Sequence, residues 1–141
     1  MTKLVLATGN KGKIREIKQI LKDIPFELKS LDQIGFEQEI PEIGKSFEEN
    51  AILKAKIVGE KTQLLTLAED SGLEVDALDG RPGIYSARYA KGTDLDRINK
   101  VLRELKNNPR EKRSARFRSA IAIYNPIAKK IQTFDGKAEG Y

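Results

Sequence analysis

The chain has 141 residues with 26 basic and 21 acidic side chains, a formal net charge of +5, and neither cysteine nor histidine. Disulfides, thiolate metal sites, His-ligated zinc and a Ser-His-Asp mechanism are thereby excluded, leaving carboxylates, lysine, hydroxyls and backbone amides to carry any chemistry. The length suits one domain over residues 1–141, able to bury roughly 68% of its unfolded surface, and the positive balance favours anionic partners, with phosphates the commonest.

In chain order, Lys3 to Ala7 alternates as a strand and Thr8 to Gly12 is turn chemistry. Ile14, Ile17, Leu21 and Ile24 then recur at helical spacing, with Pro25 as the stop. Phe26 to Leu31 reads as a second strand and Gln33 to Gly44 as an acidic loop containing Pro41. Ser46 to Glu49 has the form of a capping box. Phe47, Ala51, Ala55 and Val58 continue it as the apolar stripe of a helix expected to end near Gly59.

Leu64 to Ala68 is a short, nearly continuous apolar run, as expected of a central strand buried on both faces. Asp79 to Gly83 is a loop, and Asp94 caps a helix carrying Leu95, Ile98, Leu102 and Leu105, ended by Asn108-Pro109. From Ala115 to Tyr124, Phe117, Ser119, Ile121 and Ile123 alternate with Arg116, Arg118, Ala120 and Ala122, predicting a strand whose second set forms the wetter face. Asn125-Pro126 turns into a last strand around Ile131 to Phe134. A mixed α/β domain results. Met1 is not followed by a leader pattern and no apolar stretch approaches the length of a membrane span, so neither a signal peptide nor a membrane segment is expected, and the cysteine-free chain suits a reducing cytoplasm.

Chemistry concentrates in three stretches. In "AEDSG" (68–72) the carboxylates Glu69 and Asp70 interrupt an apolar run where a central strand is expected to end, at the rim where open α/β sheets place ligands. A strand continuing through them would point them to opposite sides. Such a pair serves a divalent cation, a raised pKa or an ion pair; an acidic turn closing the strand is the plainer alternative. "TGNKGK" (8–13) follows the first strand, its glycines allowing close approach and its lysines standing beside a helix N-terminus. That suits a phosphate cradle, although the spacing is neither that of a Walker A loop nor of the dinucleotide fingerprint, and an ordinary strand-to-helix turn has the same composition. In "EIGKSFEENAILKAK" (42–56), Glu42 precedes a helix carrying Glu49, Asn50 and Lys54. A capped, solvated helix explains Ser46 and Glu49 but not Asn50, a poor helix former in the first turn.

Together, "ATGNKGKIREI", "EIGKSFEENAILKAK" and "AEDSGLEVDALDGRPGIYSARYA" resemble, in order and spacing, the non-canonical purine nucleoside triphosphate pyrophosphatase family, also called the inosine triphosphate pyrophosphatase family. The resemblance runs from about Lys3 to Gly136, more loosely after Gly92. It implies an elongated, twisted mixed α/β sheet with flanking helices around a central cleft, a homodimer, and Mg2+-dependent cleavage of ITP, dITP or XTP to monophosphate and pyrophosphate. It further implies Asp70 as general base and Mg2+ ligand, and Glu42 as the second acidic metal contact. Thr8, Gly9, Asn10, Lys11, Gly12 and Lys13 become the substrate-phosphate loop and Ser71 a further substrate contact, with Asn50, Lys54 and Glu69 in a supporting polar cluster.

Mg2+ usually takes only one or two carboxylates from a protein, the remaining ligands being water and phosphate oxygens, and Glu42 with Asp70 fits that count. A pyrophosphatase of the Maf-like type acting on modified pyrimidine nucleotides is an alternative. So is a non-catalytic nucleic-acid-binding module using the basic run from Arg110 to Arg118, although a solvated loop entering an edge strand accounts for that run more simply and nucleic acid is not the expected partner. The chain stops at "FDGKAEGY", whereas the family continues into base-recognising segments. Weak selectivity for ITP over ATP, poor turnover and uncovered apolar surface near Ile131 and Phe134 are therefore expected.

Overall fold

A computed structural model describes residues 1–141. Its centre is a five-stranded sheet in the order β2-β1-β3-β4-β5. Strands β1 (Thr2–Leu6), β2 (Phe26–Ser30) and β3 (Leu65–Val75) are mutually parallel, and β4 (Ala115–Asn125) and β5 (Lys130–Gly140) continue the sheet in antiparallel pairs. Helices α1 (Lys11–Ile20) and α2 (Phe47–Thr62) are the crossovers of the parallel half. A peripheral α3 (Asp94–Glu104) leads toward the antiparallel half. The expected mixed sheet with flanking helices is thus present.

The two sheet faces are filled differently. Val5, Ala7, Ala68, Ala120, Ala122 and Tyr124 pack under Phe47, Ala51, Ala55 and Val58 of α2 in the main core. Leu4, Leu6 and Leu67 on the other face meet Ile14, Ile17 and Leu21 from α1 and its C-terminal edge. The wetter face expected for β4 is therefore inverted, because Ala120 and Ala122 lie in the main core while Phe117 is 65% exposed. Small side chains were misleading here: they let the helix approach the sheet closely, so burial followed helix contact rather than hydropathy.

Several boundaries differ for physical reasons. α1 ends at Ile20, well before Pro25, and Ile24 lies in the turn beyond it. α2 runs past Gly59 to Thr62, with Gln63 as a left-handed cap. Gly59 is a contact residue, since a Cβ there would stand 2.6 Å from the Tyr124 ring. Ser46 does accept from the Glu49 amide at 3.0 Å, but Glu49 takes the N–H of Lys45 instead of closing a box on Ser46. In α3 the cap is Thr93 with Asp96 as its partner, and Asp94 is the first helical residue. Leu105 is buried with Val75 and Leu78, whereas Leu95, Ile98 and Leu102 are about half exposed or more.

The largest correction concerns β3, which does not end at Ala68. It continues to Val75, with Glu69, Asp70, Ser71 and Gly72 opposite Ile121, Ala120, Ser119 and Arg118 of β4. Pairing with β1 stops at Leu67, so the carboxylates lie where a neighbouring strand ends and their own strand goes on. Gly72 is not a turn residue. A Cβ on it would come within 2.4 Å of the Gly83 carbonyl, and the 3₁₀ segment Gly83–Arg88 packs there instead.

Candidate active site

The end of β1 leaves one edge of β3 without a strand, and two side chains and a loop carbonyl fill the gap. Leu67 accepts the last β1-side hydrogen bond from the Ala7 N–H at 2.8 Å. Further along, the Leu73 N–H donates to Ser86 Oγ at 2.9 Å and the Val75 N–H to the Arg81 carbonyl. Between these, the Glu69 carbonyl accepts from Lys54 Nζ of α2 at 3.1 Å.

Lys54 is the hub. Its ammonium lies 3.1 Å from Glu42 Oε1 and 3.8 Å from Asp70 Oδ1, so carboxylates from a loop and a strand converge on one positive charge. Asn50, one turn earlier and fully buried, donates from Nδ2 to Asp70 Oδ2 at 3.1 Å. Glu69 points to the opposite sheet face, as alternation requires. There it pairs with Lys13 Nζ at 3.3 Å and accepts from Ser119 Oγ at 3.3 Å. Burial of Asp70 pushes its carboxyl above the ordinary range; Lys54 and the Asn50 hydrogen bond oppose that push, while Glu42 adds to it.

The loop Thr8 to Lys13 is internally braced. Thr8 Oγ1 accepts from the Asn10 N–H at 3.1 Å, and Asn10 Oδ1 caps α1 by accepting from the amides of Gly12 and Lys13 at 2.9 and 3.1 Å. Gly9 and Lys11 are exposed at the helix N-terminus, the end where anions are favoured. Of the residues selected from the sequence, Glu42, Asn50, Lys54 and Asp70 are brought together on one face of β3 and Glu69 with Lys13 on the other, the two sets joined by the Lys54 bond to the Glu69 carbonyl. Ser71 stands in mid-strand beside it, opposite Ser119. Sequence reasoning missed Gly44, whose N–H donates to Asn50 Oδ1 at 2.7 Å, and Ser119, whose relation to Glu69 becomes visible only through the β3–β4 register.

The donor set suits Mg2+. Glu42 and Asp70 already gather about a single cationic group, and two carboxylates match that ion's usual protein share, with water and phosphate oxygens completing an octahedron. A cleft of about 770 Å³ adjoins this cluster without containing it. It is lined by Phe47, Ile84, Tyr85 and Arg118 among others, and by Ala120, the register partner of Asp70.

The basic run is largely occupied. Arg113 caps the end of α3 by donating to the Asn108 and Leu105 carbonyls, Arg116 bonds Asp76 and Glu139, and Arg118 pairs with Glu74. The strand it enters is not an edge strand, because β5 covers β4. Arg116 and Arg118 act as cross-strand ties.

Residues 4–141 match the model of the Ham1 family. The dITP/XTP pyrophosphatase of Bacillus subtilis is 48% identical over 143 aligned residues, covering 100% of this chain and 72% of that protein. The dITP/XTP pyrophosphatase of Geobacter sulfurreducens is 51% identical, over 99% of this chain and 71% of its own length. Among solved structures, a HAM1 protein from Coxiella burnetii superposes with a TM-score of 0.88 at 37% identity, covering 99% of this chain and 72% of that one. The Ham1 protein of Staphylococcus aureus gives 0.85 at 37% identity, with 99% and 71% covered. With three sequence motifs, the sheet order and these likenesses in agreement, the chain belongs to the Ham1 family.

Proposed function

We propose that this protein hydrolyses the non-canonical purine nucleoside triphosphates ITP, dITP and XTP to the monophosphate and pyrophosphate, with Mg2+ as cofactor. The single observation that carries the reading is the convergence of Glu42 and Asp70 on Lys54, next to a lysine-bearing helix N-terminus, in a chain 48% identical to a dITP/XTP pyrophosphatase.

A triphosphate near neutrality carries about four negative charges, which repel an incoming water. Lys11, Lys13 and the positive end of the α1 dipole receive the phosphates and offset part of that charge. Glu42 and Asp70 would hold Mg2+, which when bound supplies further positive charge and eases deprotonation of water. Asp70 accepts the proton of the water that attacks the α-phosphorus. Asn50 engages Oδ2 and leaves Oδ1 for this task, and burial makes the carboxylate a stronger base than an exposed one. General-base assistance of this kind contributes typically about 10²- to 10⁴-fold. Pyrophosphate departs, its charge met by the lysines. The adjoining cleft has room for the nucleoside half of the substrate. A homodimer belongs to the same reading, with Tyr85 and the α3 stripe as available apolar surface.

The test is a panel of ITP, XTP, ATP and modified pyrimidine triphosphates, assayed for pyrophosphate with and without Mg2+. Release from ITP and XTP that requires the metal supports the reading. Release confined to pyrimidine substrates would favour the Maf-like alternative.

A further inference from the structure

Between Glu37 and Lys45 the chain makes no backbone–backbone hydrogen bond and belongs to no helix or strand. Glu42 is carried by this segment, yet its carboxylate must be placed to within tenths of an ångström if it is to share a cation with Asp70. Two backbone amides next to it are captured by the first turn of α2. The Gly44 N–H donates to Asn50 Oδ1 at 2.7 Å and the Lys45 N–H to Glu49 Oε2 at 2.6 Å. Glu49 is exposed, whereas Asn50 is completely buried.

The Asn50 amide has no freedom to turn over. Its carbonyl faces a donor and its NH₂ faces the acceptor Asp70 Oδ2 at 3.1 Å, so a flip would oppose like groups at both ends. One side chain therefore spans from the backbone two residues after Glu42 to the carboxylate of Asp70. Its residue type is costly in a helix, where straight-chain residues do better, and the loop has adapted to it: a Cβ on Gly44 would stand 2.6 Å from Asn50 Oδ1.

We propose that Asn50 is a positioning residue that sets the spacing of Glu42 and Asp70 by clamping the Gly44 amide on one side and Asp70 Oδ2 on the other. The proposal rests on the reading of Glu42 and Asp70 as the metal-holding pair. Removing the clamp frees the Glu42 segment and takes one hydrogen bond from Asp70, while both carboxylates stay in the chain. Loss of such an outer partner typically weakens metal affinity about 10- to 100-fold.

The test compares Asn50→Ala, Gly44→Ala and Glu42→Gln, singly and with Asn50→Ala and Glu42→Gln combined. Amide hydrogen exchange at Gly44, read without nucleotide or metal, reports the clamp itself. Mg2+ affinity, read by calorimetry without nucleotide, reports its consequence. Asn50→Ala should abolish protection of the Gly44 amide and weaken Mg2+ binding about 10- to 100-fold, and should add little in the Glu42→Gln background. Gly44→Ala, which pushes the loop off Asn50 without altering the helix, should weaken Mg2+ binding likewise and serves if Asn50→Ala does not fold. A protected Gly44 amide in Asn50→Ala, wild-type Mg2+ affinity in Gly44→Ala, or full additivity with Glu42→Gln would overturn the proposal. If the wild type cleaves no triphosphate, the functional reading fails while the exchange and calorimetry still decide the clamp.

Discussion

At the scale of single residues, Asp70 is a charge kept where little water reaches it, at 5% exposure. Its folded-state pKa is raised above the ordinary 3.8, chiefly by burial. A carboxyl raised in this way contributes stability that is whole below the unfolded value and is lost as pH rises through the folded one. Near neutrality, then, the ionised Asp70 strains the fold that positions it, and Glu42 alone suffices to balance Lys54. Asp70→Asn keeps the shape and an acceptor for Asn50 while removing the charge. Turnover should fall at least about 10²-fold, and the melting temperature at pH 7 in metal-free buffer should equal or exceed that of the wild type. The difference should shrink as pH is lowered toward 3.8. A lower melting temperature for the variant at pH 7 would show that the charge stabilises the fold.

At the scale of elements, the helix that covers the core also delivers the polar cluster. α2 buries Phe47, Ala51, Ala55 and Val58 against the sheet and, from the same half-turns, sends Asn50 and Lys54 to Asp70 and Glu69. Local pattern made this helix legible, along with β1, β2 and the crossover order. It could not reveal the length of β3, because Glu-Asp-Ser-Gly reads as a turn until Lys54 and Lys13 are known to neutralise it and β4 to pair with it. Nor could it reveal the role of Gly59, which depends on Tyr124, far away in sequence. The site residues were legible through motif resemblance, but their partners Gly44 and Ser119 required geometry. Gly59→Ala provides a test of the packing. Helix propensity favours alanine by about 1 kcal/mol, but a Cβ 2.6 Å from the buried Tyr124 ring should cause overpacking worth about 1–3 kcal/mol. Net destabilisation in chemical denaturation is expected, and a more stable variant would show that the ring yields freely.

At the scale of the whole molecule, β3 joins a parallel half-sheet to an antiparallel one, and the cluster occupies the place where the first stops and the second continues. Parallel pairing supplies a helix N-terminus at the end of β1. Antiparallel pairing keeps β3 extended beyond it, so carboxylates can stand in a strand while Lys13 of α1 and Lys54 of α2 reach them from the side. The net charge of +5 draws anions to the protein, but Arg113, Arg116 and Arg118 are engaged within the fold, and the cations beside the carboxylates are Lys54 and Lys13. No helix is long and apolar enough to cross a membrane. The central claim is that this junction directs water, deprotonated by Asp70, to the α-phosphorus of a purine triphosphate. Hydrolysis of ITP in ¹⁸O-labelled water with Mg2+, followed by mass spectrometry of both products, tests it most directly. One labelled oxygen is expected in the monophosphate and none in pyrophosphate; label in pyrophosphate, or release of orthophosphate and the diphosphate, would refute attack at the α-phosphorus.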